Sequence, residues 1–198
     1  RVREDIVNEL RLREPDVFVG SFDRPNLVYS ALARSDLLQQ VCSIIDRHKD
    51  ESGIVYCIRR ADVDELCCSL QERGLKALPY HAGLKDEVRK RNQEAFIQEE
   101  ADIVVATIAF GMGIDKSNVR YVVHAGMPKS LEHYQQESGR AGRDGLPAEC
   151  VLLYLYEDVA MWRYIIQKGE EDSLDTSVQR IALRKLNEVY NYCLTSVC

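Results

Sequence analysis

The sequence has no apolar stretch long enough to cross a bilayer, since its longest apolar runs, such as Ile103–Ala106 and Val151–Leu155, span only a few residues. The first residues also lack the apolar core of a signal peptide. No excess of positive charge is present, because 26 Lys and Arg stand against 32 Asp and Glu, giving a net charge of −6. This balance argues against a uniformly basic nucleic-acid binder, although it is compatible with a local basic groove. We therefore expect no membrane association, and a location in the cytoplasm, including the bacterial nucleoid, or in the nucleus.

The seven cysteines do not follow the spacing of a disulfide framework. Cys57 and Cys150 lie in predicted strands, where a free cysteine behaves as a small hydrophobic residue. The adjacent residues Cys67 and Cys68 cannot point to the same face of a helix. We expect five of the seven cysteines to be reduced packing residues.

Two patterns of nucleotide chemistry are also missing. The sequence contains no G-x-x-x-x-G-K-[ST] phosphate-binding loop, and no acidic pair follows an apolar strand in the manner of a Mg²⁺ site. A phosphate-binding site in this chain would therefore be one half of a site completed elsewhere.

The pattern of apolar residues predicts an α/β fold with a parallel sheet covered by helices on both faces. Short apolar strands recur between helical segments of about 10–15 residues. Helices are predicted from Ser35 to a stop at Gly53 and from Ala61 to a stop at Gly74, and then over Lys85–Gln98, Ser130–Glu137 and Asp158–Lys168. Strands are predicted over Ile54–Ile58, Leu75–Tyr80, Ile103–Ala106, Val119–His124 and Cys150–Leu155.

Three segments are predicted along the chain. Residues 1–15 are charged and helix-compatible and form a linker, and residues 16–169 form the α/β domain. Gly169 is followed by three acidic residues and marks the boundary. Residues 170–198 are then predicted to be helical, with Ser173 or Asp175 suited to the N-cap.

Three loops carry the residue types of a binding site, and we expect all three at the carboxyl ends of the strands, where open α/β sheets bind ligands. Ala106–Lys116 offers glycines, a threonine hydroxyl and an aspartate. Gln136–Gly145 holds two arginines three positions apart among three glycines, an arrangement suited to bidentate capture of phosphate on an exposed loop. Tyr80–Leu84 leads into a basic helix, which would suit contact with a nucleic-acid backbone. The basic residues of this helix are explained equally well as a solvent-exposed face.

Taken in order, these blocks resemble the second RecA-like lobe of superfamily-two helicases, and in particular the RecQ family of DNA helicases. The resemblance is carried by Ser21–Leu27 at the start of the lobe, Gly53–Ala61 at motif IV, Thr107–Asp115 with Asn118–Arg120 at motif V, Met127–Ser130, and Gln136–Gly145 at motif VI. Ser117 stands where the family commonly has proline, and we expect this difference to loosen a turn without removing chemistry.

The resemblance implies a site shared between two lobes. Arg143 and Arg140 would reach the γ-phosphate of ATP that is held, with Mg²⁺, mainly by the first RecA-like lobe of the same polypeptide, and Arg143 is the preferred arginine finger. The other residues implied near the nucleotide are Gln136, Asp115 and Gly139. Those implied to contact the DNA strand are Thr107, Arg59, Arg60 and His81.

The resemblance also implies zinc in the full-length protein, because a four-cysteine zinc subdomain follows a helical hairpin in RecQ proteins and its first ligand resembles Cys198. Residues 170–198 would be the helical start of that subdomain. Cys193 and Cys198 lack C-x-x-C spacing, and two ligands do not make a structural zinc site. We therefore expect no zinc within these residues.

The function implied is that of a C-terminal motor lobe that couples ATP hydrolysis to 3′-to-5′ translocation on DNA and unwinding of the duplex. The isolated lobe is expected to be inactive. Two alternatives are an RNA helicase lobe of superfamily two and a non-catalytic nucleic-acid-binding scaffold. The residues of motifs V and VI disfavour the RNA helicase. The intact arginine pair argues against the scaffold.

Overall fold

The computed structural model describes residues 2–13, 15–16, 23–111, 114–168 and 176–195. Within these ranges the strands are β1 (Leu27–Ala33), β2 (Ser52–Tyr56), β3 (Ala77–Tyr80), β4 (Ile103–Ala106), β5 (Val119–His124) and β6 (Ala148–Tyr154). The helices are α1 (Val2–Glu9), α2 (Leu37–Arg47), α3 (Arg60–Glu72), α4 (Asp86–Ile97), α5 (Leu131–Ser138), α6 (Tyr156–Lys168) and α7 (Thr176–Leu194). The boundary residues around Gly169, the two proposed N-caps and Cys198 lie outside the described residues.

The described strands form one sheet in the order β1-β6-β5-β2-β4-β3, and every pairing is parallel. The central strands β2, β4 and β5 are buried along their whole length, as expected for a sheet packed on both faces. The predicted α/β class is therefore confirmed. None of the described helices is long and apolar enough to cross a membrane.

The two faces of the sheet are covered by different elements. Helices α2 and α3 pack on one face through Val41, Ile44, Val63, Leu66 and Leu70. The opposite face is covered by Phe96 of α4 together with Phe110 and Ile114 from the connection between β4 and β5. A third cluster, at the β1 and β6 end, joins α5, α6 and α7 through Tyr134, Val159, Leu186 and Val189.

Gly53 does not end a helix, contrary to the sequence prediction. Helix α2 already ends at Arg47, and Gly53 lies within β2. A Cβ at this position would fall 1.9 Å from the ring of Tyr121 in the neighbouring strand β5. The glycine is thus required by close packing. Gly74, by contrast, follows α3 with φ of +81°, and its N–H donates to the Gln71 carbonyl at 2.9 Å, which confirms the predicted stop.

Among the described residues, only one face of the sheet is covered at β1. Val28 and Leu32 on this edge strand are exposed, whereas Tyr29 and Ala31, which alternate with them, pack against the cluster of α5, α6 and α7. The apolar composition of β1 alone does not reveal that one of its faces is open.

Three of the five cysteines expected to be packing residues are buried, while Cys42 is partly buried and Cys68 is exposed, so the expectation is wrong for Cys68. Cys57, Cys67 and Cys150 are buried free thiols, and Cys68 is exposed beside Cys67, which confirms that the adjacent pair faces opposite ways. Burial raises the pKa of the Cys57, Cys67 and Cys150 thiols to about 12, so the neutral form is strongly favoured.

Candidate functional site

The loop that carries the two arginines lies at the edge of the sheet where the strands begin. We call residues 139–147 the arginine loop and this side of the sheet the amino edge. The N–H of Gly142 donates to the carbonyl of Val119, the first residue of β5, at 2.8 Å, and β6 begins at Ala148 directly after the loop. The expectation that this loop lies at the carboxyl ends of the strands is therefore wrong.

The direction of α5 explains the difference. The hydroxyl of Ser130 accepts a hydrogen bond from the His133 N–H and caps the start of α5, shortly after the carboxyl end of β5. Since β5 and β6 are parallel neighbours, α5 must return the chain to the opposite edge before β6 can begin. The arginine loop is the last part of that return.

Residues 107–118, which we call the motif V segment, cross one face of the sheet without forming a helix in their described part. They leave β4 at its carboxyl end and reach the amino end of β5. Phe110 fixes the crossing, because its ring packs at 4.8 Å from that of Tyr80 and 5.9 Å from that of Phe96. The Tyr56 hydroxyl also donates to the Phe110 carbonyl at 3.0 Å. One segment thus connects the two edges of the sheet.

Arg140 lies partly inside the fold. Its Nη1 donates to the Gly111 carbonyl at 2.5 Å, and its Nε is buried with no partner among the described residues. A Cβ on Gly111 would fall 2.1 Å from the Arg140 guanidinium, so the glycine makes room for it. Burial raises the pKa of the adjacent Tyr56 hydroxyl, and Arg140 opposes this rise. The expectation of an exposed side chain is wrong for Arg140, because the motif V segment covers it.

Arg143 lies at the surface beside Asp115. Its Nη1 donates to the Ile114 carbonyl at 3.0 Å and to Asp115 Oδ1 at 3.2 Å. The Arg143 side chain is 36% exposed and that of Asp115 is 92% exposed. Within the part of the chain that the structure describes, the Nε and Nη2 atoms of Arg143 make no hydrogen bond. The structure therefore brings together two of the residues implied near the nucleotide and leaves most donors of the guanidinium free for a phosphate.

Arg120 anchors the arginine loop from β5, a role that sequence reasoning missed. It is only 9% exposed, and its Nη2 donates to Asp144 Oδ2 at 2.5 Å. Its guanidinium also donates to the carbonyls of Ser117, Asn118 and Pro147 at 3.2–3.3 Å. The hydrogen bond from Arg120 lowers the pKa of Asp144. The available signal was an arginine inside an otherwise apolar strand, because a buried charge requires partners.

Ser117 supports the same contact through its backbone alone. Its carbonyl accepts hydrogen bonds from Arg120 Nη2 and from the Asp144 N–H, both at 3.3 Å. Proline also has a carbonyl, so these two bonds do not depend on which of the two residues stands here.

Gln136 lies apart from the arginine pair, whereas Gly139 directly precedes Arg140 at the start of the arginine loop. Gln136 is exposed on α5 and lines a groove with residues 23–25, and none of its described contacts reaches Arg140 or Arg143. Gly139 ends α5, with its N–H donating to the Gln135 carbonyl at 2.9 Å. Neither residue contributes a side chain to the space beside Arg143.

The opposite side of the sheet, the carboxyl edge, brings three of the residues implied in strand contact onto neighbouring strands. Arg59 and Arg60 follow β2, and Thr107 follows the adjacent strand β4. Arg60 is exposed at the start of α3, and Thr107 is partly exposed, with its N–H donating to the Tyr80 carbonyl at 3.1 Å. Arg59 is exposed but paired with Asp62, with Nε 2.9 and 3.0 Å from the two carboxylate oxygens. Hydrogen bonding to Asp62 raises the pKa of Arg59.

The sequence matches the helicase conserved C-terminal domain family over residues 36–145, more than half of the chain. This chain belongs to that family. The match includes motifs IV and V and the arginine pair of motif VI.

The chain is also similar to RecQ helicases over almost its whole length. The chain is 45% identical over 186 residues to the ATP-dependent DNA helicase RecQ of Pasteurella multocida, covering 94% of this chain and 29% of that protein. It is 44% identical over 197 residues to the RecQ-like DNA helicase BLM of Xenopus laevis, covering 98% of this chain and 14% of that protein. The resemblance to RecQ proteins is thus confirmed, and the chain spans less than a third of the length of these two relatives.

A solved structure supports the fold. The crystal structure of a DEAD box protein from the hyperthermophile Methanococcus jannaschii superposes with a TM-score of 0.62 at 23% identity, covering 85% of this chain and 47% of that one. This likeness concerns the fold alone and agrees with the RecA-like sheet that the motifs imply.

In this helicase C-terminal domain His81 occupies an interior position. It is buried, and its Nδ1 accepts a hydrogen bond from the Gly83 N–H at 3.1 Å. A neutral ring must then carry its proton on Nε2, which lies 3.0 Å from Asp64 Oδ1. Both ring nitrogens are used within the fold, so His81 supports the loop between β3 and α4. Its implied contact with the DNA strand stays a prediction.

A buried pair joins α5 to β5 and was not found from the sequence. His124 Nε2 lies 2.8 Å from Oε2 of Glu137, and both side chains are almost fully buried. The ring of His124 stacks on that of Tyr56 at 5.3 Å between centroids. Glu137 therefore holds motif VI against the sheet through its helix, while the next residues of the motif carry the arginines.

No group of three His, Cys, Asp or Glu side chains in the described ranges is placed to hold a metal ion. Cys193 is buried in α7, and burial raises the pKa of its thiol to about 12. Cys198, the implied zinc ligand, lies outside the described residues.

Proposed function

We propose that this chain is the C-terminal motor lobe of an ATP-dependent, RecQ-like DNA helicase, and that Arg143 is its arginine finger. The observation that carries the proposal is the position of Arg143, which lies at the surface and is tethered through Nη1 to one carbonyl and to the exposed Asp115. An arginine supplied from a facing domain stabilises the charge that spreads over the γ-phosphoryl oxygens in the transition state.

Arg140 has a different task in this proposal. Its guanidinium is covered by the motif V segment and bonded to the Gly111 carbonyl, so it holds that segment against motif VI. Asp115 holds Arg143 in place until the γ-phosphate competes for the guanidinium. Gln136 and Gly139 border the space in which the nucleotide and the first lobe would lie.

Nucleic acid would cross the carboxyl edge, where Arg60 and Thr107 are accessible and Arg59 can exchange its bond with Asp62 for a phosphate. Because the motif V segment joins Thr107 at this edge to Asp115 beside Arg143, closure of two lobes around ATP would move the strand contact together with the finger. Domain closure around a ligand is a common route to such coupling. Repeated closure and opening would give 3′-to-5′ movement along DNA, with Mg²⁺ held by the first lobe.

The test is ATP hydrolysis by a protein in which this chain is joined to its first lobe. Arg143→Ala should lower kcat by about 10³–10⁵, the usual worth of an arginine finger, while the nucleotide Kd stays within a few-fold. Arg143→Lys should rescue little, because an ammonium lacks the planar donor set. The matched control is Arg184→Ala, an exposed arginine on α7. Hydrolysis by Arg143→Ala at the parent rate would refute the assignment.

A further inference from the structure

The segment immediately before β1 forms a turn that faces the arginine loop. The carbonyl of Arg24 accepts a hydrogen bond from the Leu27 N–H at 2.9 Å, with Pro25 at the second position of the turn. Proline fixes φ near the value that this position requires. The Asn26 carbonyl then accepts from the N–H of Ala148, where β6 begins after the arginine loop. The turn thus places the side chains of Arg24 and Asn26 beside that loop.

Arg24 binds the loop through three carbonyls. Its Nη2 donates to Ala141 at 2.9 Å and to Gly142 at 2.7 Å, and its Nη1 lies 3.5 Å from the carbonyl of Gly139. Ala141 and Gly142 are the two residues that separate Arg140 from Arg143. The guanidinium therefore holds the backbone between the two functional arginines, and its bonded donors are not available to a nucleotide.

Asn26 completes the contact. Its Nδ2 donates to the carbonyls of Gly142 and Leu146, both at 2.8 Å, and its Oδ1 accepts from Arg24 Nε at 3.4 Å. The bond from Arg24 fixes the orientation of the amide, so that Nδ2 faces the loop. Gly142 has φ of +54°, and a Cβ there would lie 2.5 Å from Nδ2. Glycine is required here both by its backbone conformation and by the approach of Asn26.

We propose that Arg24 and Asn26 are positioning residues for Arg143: they hold the carbonyls between Arg140 and Arg143 and thereby set the direction in which the finger leaves the loop. Neither residue touches the nucleotide. The inference rests on the proposed function of Arg143 and deepens it, since it assigns the geometry of the finger to a turn more than a hundred residues away in sequence.

The first experiment measures steady-state ATP hydrolysis by the protein that carries this chain and its first lobe. Asn26→Asp keeps the shape of the side chain but turns an oxygen toward two carbonyls. Arg24→Lys keeps the charge but cannot reach three carbonyls at once. Each should lower kcat by about tenfold to 100-fold, the effect of a small misplacement of a catalytic group, with KM for ATP within about threefold. The matched controls on exposed positions of α7, Asn191→Asp and Arg184→Lys, should keep the parent kcat.

A double-mutant cycle separates positioning from general stability. If Arg24 acts through Arg143, Arg24→Lys should cause less than about a twofold further loss in the Arg143→Ala background. An equal loss of kcat in both backgrounds would overturn the proposal, as would unchanged kcat in Arg24→Lys and Asn26→Asp when Arg143→Ala is inactive.

Amide hydrogen exchange tests the clamp independently of hydrolysis. The Gly142 N–H, which donates to Val119, should exchange about tenfold faster in Arg24→Lys and Asn26→Asp, while the Val55 N–H in the buried strand β2 exchanges as in the parent. If Arg143→Ala hydrolyses ATP normally, the proposed function fails, and this exchange still decides whether Arg24 and Asn26 order the loop. Unchanged exchange at Gly142 would overturn the inference.

Discussion

The amino and carboxyl edges of the sheet differ in how completely their arginines are bonded. At the amino edge, Arg24 donates to three carbonyls of the arginine loop. Arg120 donates to the Pro147 carbonyl and the Asp144 carboxylate of the same loop, and also to the carbonyls of Ser117 and Asn118 before β5. At the carboxyl edge, the Arg60 side chain makes no hydrogen bond or ion pair within the described residues, and the Arg59 guanidinium binds Asp62 in the first turn of α3. The first edge is built to fix a backbone, and the second leaves its cations accessible.

This difference fits the two ligands that the proposed function requires. A hydrogen-bond donor stabilises a transition state best when it is held in one position, because the stabilisation is gained only when the donor and the reacting groups are aligned. A strand that must slide past a lobe requires contacts that form and break, and exposed arginines with weak local partners suit that purpose. Fixed geometry at one edge and exchangeable contacts at the other are therefore expected in a motor lobe.

The largest effect on stability is expected at the amino edge. Arg120→Met should lower the free energy of unfolding by about 1–3 kcal/mol, because the carbonyls of Ser117, Asn118 and Pro147 lose the buried guanidinium that they share. Denaturant unfolding measures this change. Asp144→Asn is the control, since its amide oxygen still accepts from Arg120, and it should cost much less. A loss for Arg120→Met no larger than that for Asp144→Asn would show that the loop is not anchored as described.

A smaller effect, on binding alone, is expected at the carboxyl edge. Replacing Arg59 and Arg60 by alanine should leave the melting temperature unchanged and weaken single-stranded DNA binding a few-fold. Each lost phosphate contact should reduce the slope of log K against log salt by about 0.7. Fluorescence anisotropy over a salt series measures both quantities, with Arg184→Ala as the control. An unchanged slope would mean that the strand does not cross this edge.

The sequence predicted the layers of the fold well because each strand carries its own apolar signal. The bounds of β4 and β5 were predicted to the residue, and the glycine-flanked arginines marked the loop of motif VI. The edge at which that loop lies was not predictable, because periodicity does not show where α5 returns the chain. The prediction that Gly53 ends a helix was wrong for a similar reason. From the sequence alone, a glycine that ends a helix cannot be told from one that leaves room for a neighbouring ring, here that of Tyr121.

The residues that sequence reasoning missed share a physical feature. The partners of Arg24 and Asn26 lie more than a hundred residues away in the sequence. Arg120 lies in β5, whereas its partner Asp144 lies in the arginine loop, with helix α5 between them in the sequence. No local spacing encodes such pairs. The bonds of His81 to Asp64 and Gly83 are also not encoded in any local spacing, and the contact with the DNA strand that the resemblance implies for this residue stays a prediction.

The central claim is that this chain supplies the arginine of a site whose phosphate cradle lies on another lobe. It is tested most directly by the ATPase activity of purified residues 1–198, with and without single-stranded DNA, beside the protein that includes the first lobe. We expect no hydrolysis above background from the isolated chain and DNA-stimulated hydrolysis from the two-lobed protein. Saturable, Mg²⁺-dependent turnover by the isolated chain would contradict the account.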